Sequence, residues 1–159
     1  MNNNLTNLEE ILLLFISREE YLKKIRMIAN DYDIIITDRW LMSIRTMQGI
    51  EECDLPIIYE LECKMERFGK PDITFILDVD EKKCRERISS RNKKLDRIES
   101  RSLSFHKKVR DNFLRIGLVQ PNTYILDGSK SKDSISKDIY EISTNFINVS
   151  RGNAYGSEN

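Results

Sequence analysis

Residues 71–80 read PDITFILDVD, an apolar run that closes on Asp78 and Asp80. A second such run, DIIITDRW, occupies residues 33–40, and a third, TYILDG, occupies residues 123–128. The first two runs do not alternate between apolar and polar side chains, which is typical of strands covered on both faces in a parallel sheet. Helical patterns separate all three runs, so the sequence predicts an α/β fold with a parallel sheet and flanking helices.

The first predicted helix carries an arginine within its apolar stripe. Thr6 and Glu9 form a capping-box pattern, and the apolar residues after them predict an amphipathic helix over about residues 6–30. Arg18 lies among these apolar positions, where burying an unpaired guanidinium is costly. We therefore expect Arg18 to meet an anion, a polar ligand or a carboxylate. A salt bridge to a core carboxylate is the purely structural alternative.

Composition argues against several classes of protein. The chain has 26 basic and 26 acidic residues, so its zero net charge predicts no general affinity for nucleic-acid polymers. Its three cysteines have no CxxC spacing, which predicts reduced thiols and a cytoplasmic location. No apolar run approaches the roughly 20 residues that span a bilayer, and the single histidine makes a histidine-based site improbable. The residues of a functional site are therefore expected to be Arg, Asp and Glu. The basic segment 82–115 is either functional or a solvated helix face.

Six motifs follow one another in a fixed order along the chain. They are LLLFISR at 12–18, DRWLMSIRTMQG at 38–49, PDITFILDVD at 71–80, R-x-x-x-R from Arg87, LDRIE at 95–99 and F-x-x-x-x-R from Phe105. In order and in spacing they resemble the thymidylate kinases over nearly the whole range from Leu12 to Phe146. That resemblance implies a P-loop kinase domain that uses ATP and Mg²⁺ to phosphorylate dTMP, giving dTDP for dTTP biosynthesis.

The resemblance assigns four residues to the acceptor nucleotide and the phosphates. Arg18 corresponds to the arginine that hydrogen-bonds the thymine ring, and Arg39 to the one that holds the 5′-phosphate with its planar fork. Asp38 corresponds to the aspartate near magnesium and the phosphates, so it is the candidate metal ligand and a candidate catalytic residue. Leu14 stands where the family usually has a phenylalanine stacked on the thymine. An ion pair of Asp38 and Arg39 that closes a strand is the structural alternative.

Two more residues of the DRWLMSIRTMQG motif complete the predicted acceptor site, Ser43 and Gln48. Gln48 corresponds to a glutamine near the nucleoside, and an ordinary polar residue at a helix end fits it equally well. The motif departs from the family at three positions: Trp40 replaces a Tyr or His, Ile44 a small polar residue, and Met47 an aromatic residue. Each lost aromatic stack weakens base binding by about 1–3 kcal/mol, so the resemblance leaves the acceptor base open.

The region that corresponds to the family's mobile lid is rich in arginine. Arg87 resembles the arginine that flanks the adenine of ATP. Either Arg91 or Arg97 corresponds to the catalytic lid arginine, which stabilises the charge of the transferring phosphoryl group. Arg110 lies in the next predicted helix, and it either continues the family pattern or pairs with Glu99.

The main departure from the family is an absent motif. No G-x-x-x-x-G-K-[ST] sequence occurs in the 159 residues, although this P-loop cradles the ATP phosphates and places a hydroxyl on magnesium. The chain therefore resembles a thymidylate kinase without its N-terminal strand, P-loop, helix and next strand, and its binding of ATP and Mg²⁺ is doubtful. Because the family's P-loop strand lies between residues 33–38 and 72–78, these two segments are not expected to pair directly.

The predicted domain covers residues 1–148, with the lid at about 87–104 and a disordered tail at 149–159. Two functions are open at this point. One is a thymidylate kinase fragment that is inactive alone, and the other is a non-catalytic relic that binds a nucleotide or docks a partner subunit. The expected partners are a dTMP-like nucleotide and either a second copy of the chain or a complementing P-loop segment, with no nucleic-acid polymer and no membrane.

Overall fold

A computed structural model describes residues 5–50, 54–66, 69–90 and 94–155. The chain divides into two compact units, Met1–Pro71 and Asp72–Asn159. The described residues of the first unit are helical or irregular, and those of the second combine helices with two parallel strands. The fold class is therefore mixed α/β and mostly helical.

The described part of the first unit contains helices α1 (Asn7–Ile28), α2 (Leu41–Met47) and α3 (Leu55–Glu66), with a 3-10 turn, Ala29–Asp31, after α1. Helix α1 begins where the capping-box pattern predicts. The Thr6 hydroxyl accepts a hydrogen bond from the Glu9 amide at 3.2 Å, and the Glu9 carboxylate accepts one from the Thr6 amide at 2.7 Å. The predicted capping box is thus confirmed, and it satisfies backbone groups that a helix end leaves unpaired.

The core of the first unit is built from one face of each helix. Burying a large apolar side chain, such as that of leucine, isoleucine, phenylalanine or methionine, stabilises a fold by about 1.5–3 kcal/mol. Gly49, which follows the C-cap Gln48 of α2, is required by the packing, because a Cβ there would clash with the Arg45 carbonyl oxygen and lie 2.7 Å from Leu55 Cδ2. The buried cluster comprises Ile11, Phe15 and Leu22 of α1, Leu41 and Ile44 of α2, and Ile58 and Met65 of α3.

The described part of the second unit contains β1 (Thr74–Asp78), α4 (Glu81–Ser89), α5 (Leu103–Val119), β2 (Thr123–Asp127) and α6 (Lys132–Tyr155). Strands β1 and β2 run parallel, with Thr74 opposite Thr123 and Asp78 opposite Asp127. Two of the three predicted strands and their parallel direction are therefore confirmed. Helix α6 ends inside the range predicted as a disordered tail, and the order of that tail in solution stays a prediction.

Helix α5 packs on one face of the two-stranded sheet. Ile76 and Ile125 lie opposite each other in the register, and Ile76 is only 8% exposed. A Cβ on Gly117 would lie 2.6 Å from Ile76 Cδ1 and 3.3 Å from Ile125 Cδ1. The glycine therefore allows the last turn of α5 to approach the sheet more closely than any other residue would.

The apolar run at residues 33–38 is extended but forms no strand in the described part of the chain. The sheet that the structure describes contains β1 and β2 alone, and Ile34 and Ile36 are 58% and 87% exposed. The prediction of a strand here is therefore wrong, because an extended segment becomes a strand only when a neighbour pairs with its backbone.

Candidate functional site

Arg18 lies on α1, half-buried beside the core of the first unit. Its Nε atom is buried, and no described residue accepts a hydrogen bond from it. Leu14, one turn earlier on the helix, packs partly buried against the same core. No core carboxylate among the described residues accepts a hydrogen bond from Nε. This nitrogen is therefore a buried hydrogen-bond donor without an acceptor.

Trp40 provides a second buried donor in this unit. Its indole Nε1 is buried and has no acceptor among the described residues. Its ring centroid lies 6.3 Å from that of Tyr21, and its side chain packs partly buried against the core cluster. Because Tyr21 is three residues from Arg18 on α1, the two unused donors belong to the same region of the helix surface.

Asp38 and Arg39 are both exposed at the end of the extended segment that leads to α2. Arg39 has a φ of 59°, a left-handed conformation that costs a non-glycine residue about 1 kcal/mol or more. Its Nη1 donates to the thioether sulfur of Met47 at 3.2 Å. In the described chain no ion pair joins Asp38 to Arg39, so the structural alternative for these two residues is not seen.

Ser43 and Gln48 are held by the framework of α2. The Ser43 amide donates to the Trp40 carbonyl at 2.9 Å, at the start of the helix. Gln48 is buried at the end of the helix, where its amide donates to the Ile44 carbonyl at 2.9 Å. Its carbonyl accepts a hydrogen bond from Asn7 Nδ2 at 2.9 Å. The backbone of Gln48 therefore has a structural role.

Arg87, on α4 of the second unit, binds the loop after β2. Its Nη1 donates to the Gly128 carbonyl at 2.9 Å, and its Nη2 donates to the Ser129 carbonyl at 3.4 Å. The Gly128 amide in turn donates to the Asp78 carbonyl at 2.8 Å, which joins this loop to the end of β1. The edge of the guanidinium is thus occupied by backbone acceptors.

The other predicted lid arginines are less defined by the structure. Arg97 is exposed in the turn at residues 97–100, where its carbonyl accepts a hydrogen bond from Ser100 Oγ at 3.0 Å. Arg91 lies outside the described residues. The choice between these two arginines therefore stays as the sequence leaves it.

Comparison with known proteins gives one consistent result. The family model for thymidylate kinase matches residues 1–139. A thymidylate kinase of Marinomonas sp. (strain MWYL1) is 32% identical over 143 residues, which cover 88% of this chain and 67% of the relative. The chain belongs to the thymidylate kinase family.

Two further relatives agree with that assignment. The thymidylate kinase of Wolbachia pipientis wMel is 34% identical over 136 residues, which cover 84% of this chain and 67% of the relative. That of Prochlorococcus marinus (strain MIT 9301) is 33% identical over 152 residues, covering 93% and 70%. The chain thus spans about two thirds of the length of these thymidylate kinases.

The donors expected for ATP and magnesium are incomplete in this chain. The 159 residues contain no P-loop motif, and Asp38 is a single exposed carboxylate. Among the residues that the structure describes, no group of three or more His, Cys, Asp or Glu side chains is placed to hold a metal ion. The described helices also include none that is long and apolar enough to cross a membrane.

One ion pair of the second unit differs from the sequence-based expectation. Arg110 forms a two-point contact with Asp78, with Nε–Oδ1 and Nη2–Oδ2 distances of 2.6 and 2.9 Å. Its Nη1 also donates to Glu81 Oε2 at 3.3 Å. The hydrogen bonds from Arg110 hold the pKa of Asp78 below its usual range. Of the two alternatives for Arg110, the pairing with Glu99 is not seen among the described residues, and the contact with Asp78 fixes α5 to the end of β1.

A buried carboxylate in the first unit was not singled out by the sequence analysis. Glu62 on α3 is 5% exposed, and its Oε2 lies 3.5 Å from Arg45 Nη1. Its Oε1 has no hydrogen-bond partner among the described residues. Burial raises the pKa of Glu62 to about 7, although Arg45 acts in the opposite direction. The spacing of Ile58, Glu62 and Met65 on the apolar face of α3 is the signal that indicates this burial.

Proposed function

We propose that this chain forms the acceptor-nucleotide side of a thymidylate kinase, in which dTMP receives a phosphoryl group from ATP. The observation that carries the proposal is the buried Nε of Arg18, which has no acceptor among the described residues. A buried donor without a partner costs about 1–3 kcal/mol, so a ligand that accepts its hydrogen bond is favoured. The carbonyl oxygens of a thymine ring are acceptors of that kind, and Leu14 provides apolar contact one turn away.

Arg39 is the proposed phosphate-binding residue. Its guanidinium is exposed and contacts the thioether of Met47, which is a weak acceptor. A phosphate forms shorter, charge-assisted hydrogen bonds with arginine and therefore displaces the sulfur readily. Asp38, Ser43 and Gln48 are proposed as its neighbours in the bound state, with Asp38 turned toward the phosphates and magnesium.

Arg87 and the lid arginines are proposed to act on the ATP side of the reaction. Arg87 presents its planar face to the adenine, since its edge is already bonded to the Gly128 and Ser129 carbonyls. Arg91 or Arg97 is the proposed catalytic lid arginine. ATP with Mg²⁺ supplies the transferred phosphoryl group, but the 159 residues lack the P-loop that holds its phosphates. We therefore expect no turnover by this chain alone, in the cytoplasm or in vitro.

The absent P-loop motif also favours a second candidate function. In this alternative the chain binds a nucleotide or docks a P-loop-containing partner without catalysing a reaction itself. Adding a separately produced P-loop segment distinguishes the two functions. Formation of dTDP from ATP and dTMP on that addition supports the kinase, whereas nucleotide binding with no turnover under any combination supports the relic.

Calorimetric titration of the purified chain with dTMP, thymidine and ATP tests the acceptor site. We expect dTMP to bind more tightly than ATP, and Arg18→Met to weaken dTMP and thymidine binding about 10–100-fold because a hydrogen bond from a charged donor is lost. Arg39→Met is expected to weaken dTMP alone. The matched control is Arg26→Met, because Arg26 lies on the same helix and pairs with Glu19 at 3.9 Å. Tighter binding of ATP than of dTMP would sink the proposal.

A further inference from the structure

The buried carboxyl of Glu62 takes no part in the proposed acceptor site, but it contacts the helix that carries much of that site. Its Oε2 lies 3.5 Å from Nη1 of Arg45, a residue of α2. The Arg45 guanidinium also lies over the ring of Tyr59, with 5.7 Å between Cζ and the ring centroid. Because Tyr59 and Glu62 are three residues apart on α3, one turn of α3 contacts the Arg45 side chain at two points.

Helix α2 depends on contacts of this kind because it is short. It has seven residues, and an isolated helix of that length is not stable in water. At its C-terminal end the Gln48 carbonyl accepts a hydrogen bond from Asn7 Nδ2 at 2.9 Å, which ties the helix to α1. The contact of Arg45 with Glu62 ties it to α3. The position of α2 is therefore set by its neighbours.

The proposed nucleotide contacts are distributed along this short helix. Ser43 lies in its first turn, and Gln48 is its C-cap residue. Met47, the last residue of α2, holds the Arg39 guanidinium through its sulfur at 3.2 Å. A shift of α2 relative to α3 moves all of these residues together. The contact of Glu62 with α2 therefore acts on site residues that Glu62 itself does not touch.

The surroundings of Glu62 favour its neutral form. The residue is 5% exposed, and its Oε1 has no hydrogen-bond partner in the part of the chain that the structure describes. Burial raises the pKa of Glu62 to about 7, while the charge of Arg45 lowers it and the charge of Glu66, one turn later on α3, raises it. Helix α1 also packs on this core, and it contributes the apolar side chains of Ile11, Phe15 and Leu22.

We propose that Glu62 is a positioning residue for the acceptor nucleotide, and that its protonated form holds α2 on α3 in the arrangement that binds the nucleotide. The inference rests on the proposed function, because Ser43, Gln48 and Arg39 are the contacts that α2 positions. Ionisation leaves a buried anion that is not fully hydrogen-bonded, so it draws in water and loosens the packing of α2 on α3. Nucleotide affinity is therefore highest in acid and falls as the pH rises through about 7.

The first experiment measures the affinity for thymidine between pH 5 and pH 8 by calorimetric titration. Thymidine is the probe because it has no group that titrates in this range, whereas a phosphate monoester has a second pKa of about 6. We expect the wild-type affinity to fall about 5–10-fold across the range. Glu62→Gln keeps the carboxyl position neutral, so it is expected to hold the acid affinity throughout. Circular dichroism at each pH limits the comparison to conditions in which the helices are intact.

The matched control is Glu60→Gln, the same substitution on the same helix. Glu60 is exposed and pairs with Lys64 at 2.9 Å, and this contact holds its pKa below the usual range. We expect the control to follow the pH dependence of the wild type. Parallel profiles of wild type and Glu62→Gln overturn the inference and leave the acceptor site in place. Failure of both thymidine and dTMP to bind at any pH overturns the proposed function, and this inference with it.

The second experiment shifts the midpoint of the pH profile through the two charges that act on Glu62. Glu66→Gln removes a repelling charge, so affinity is expected to be lost at a lower pH than in the wild type. Arg45→Gln removes an attracting charge, so the midpoint is expected to move to a higher pH. Glu66 is exposed, so its variant tests the inference even if Arg45→Gln fails to fold. An unchanged midpoint in Glu66→Gln shows that a different group titrates and overturns the inference.

The third experiment counts the protons taken up when thymidine binds at pH 7. Coupling between two binding events is reciprocal, so a ligand that prefers the protonated form draws protons onto Glu62. Calorimetry in buffers of different ionisation enthalpy measures this number. We expect net uptake of a fraction of a proton by the wild type and by Glu60→Gln, and none by Glu62→Gln. Proton release by the wild type, or equal uptake by Glu62→Gln, overturns the inference.

Discussion

Two apolar runs of this chain have similar sequences and different structures. The run DIIIT at residues 33–37 stays extended and unpaired in the first unit, with Ile36 87% exposed. The run ITFIL at residues 73–77 contributes most of β1 in the second unit, where Ile76 is 8% exposed. The composition of the two runs predicts the same outcome for both. The difference lies in what each run finds beside it: β1 has a parallel neighbour in β2, and the first run has none among the described residues.

This contrast shows where the information for a strand resides. An apolar, β-branched run indicates that a segment can adopt an extended backbone and can be buried under neighbouring elements. Its conversion into a strand needs a neighbour for its backbone groups and a helix for its side chains. Strand β1 has both, because β2 pairs with it and Gly117 lets α5 approach Ile76 closely.

The largest effect is expected from truncating the buried isoleucine of β1. Ile76→Ala removes a side chain packed beneath α5, so we expect the free energy of unfolding to fall by about 2–5 kcal/mol. Ile36→Ala is the matched control in the exposed run, and it is expected to change that free energy by less than about 0.5 kcal/mol. Urea denaturation measures both. Equal losses for the two variants would show that the first run is covered in solution.

The free energy of unfolding is expected to depend on pH through the protonation of Glu62. Its folded-state pKa of about 7 lies above that of an unfolded glutamate, so the native state holds a proton that the unfolded chain has released. Stability from this group is therefore greatest in acid and is lost as the pH rises through about 7. We expect the wild type to lose about 2–3 kcal/mol more than Glu62→Gln between pH 5 and pH 8, measured by urea denaturation at each pH. Parallel pH profiles for the two proteins would contradict the burial of Glu62.

The ion pair of the second unit is expected to respond to acid in the opposite direction. Asp78 has a lowered pKa, so its contact with Arg110 contributes fully above the pKa of an unfolded aspartate and is lost as the pH falls through the folded-state value. At neutral pH we expect Arg110→Gln to lower the free energy of unfolding by about 1–2 kcal/mol, because the pair is bonded at two points but partly exposed.

The control for Arg110→Gln is Lys107→Gln on the same helix. Lys107 pairs with Asp111 at 2.8 Å, and both side chains are largely exposed. We expect this variant to change the free energy of unfolding by less than about 0.5 kcal/mol. A difference between wild type and Arg110→Gln that stays constant into acid would show that Asp78 is not the partner.

The smallest effects are expected at the helix caps, where they compare the two units directly. Thr6→Ala removes the cap of α1 in the first unit, and Ser102→Ala removes the cap of α5 in the second. Each is expected to cost about 1 kcal/mol. If thermal unfolding shows two transitions, each variant should lower only the transition of its own unit. A single transition lowered by both variants would show that the units unfold together.

Local signals explain why much of the fold is predictable from the sequence. The capping box of Thr6 and Glu9 and the helical periodicity act over a few residues, and the helices follow from them. Strands at 74–78 and 123–127 were also predictable, because each has its partner and its covering helix within the chain. The strand expected at 33–38 fails because pairing depends on a neighbour that the local pattern does not contain.

In the candidate site, too, the sequence predicts the features that depend on nearby residues and misses contacts between distant ones. Arg18 was predictable as an arginine in need of a polar partner, because its position in the apolar stripe of α1 is a local feature. The contact of Arg110 with Asp78 was not, since these residues are 32 positions apart and meet only when α5 packs on β1. The buried Nε1 of Trp40 likewise depends on the packing of three helices around it.

The exposed extended run also has a consequence for the behaviour of the protein in concentrated solution. Ile34–Ile36 combine high β-propensity with no charge of their own, and their backbone offers hydrogen bonds to any other chain that adds a strand. The sequence isoelectric point of about 6.6 leaves little net charge near neutral pH to keep molecules apart. Cross-β aggregation is therefore expected to begin at this run. A lysine in place of Ile35 would act as a gatekeeper and lengthen the lag time of that aggregation.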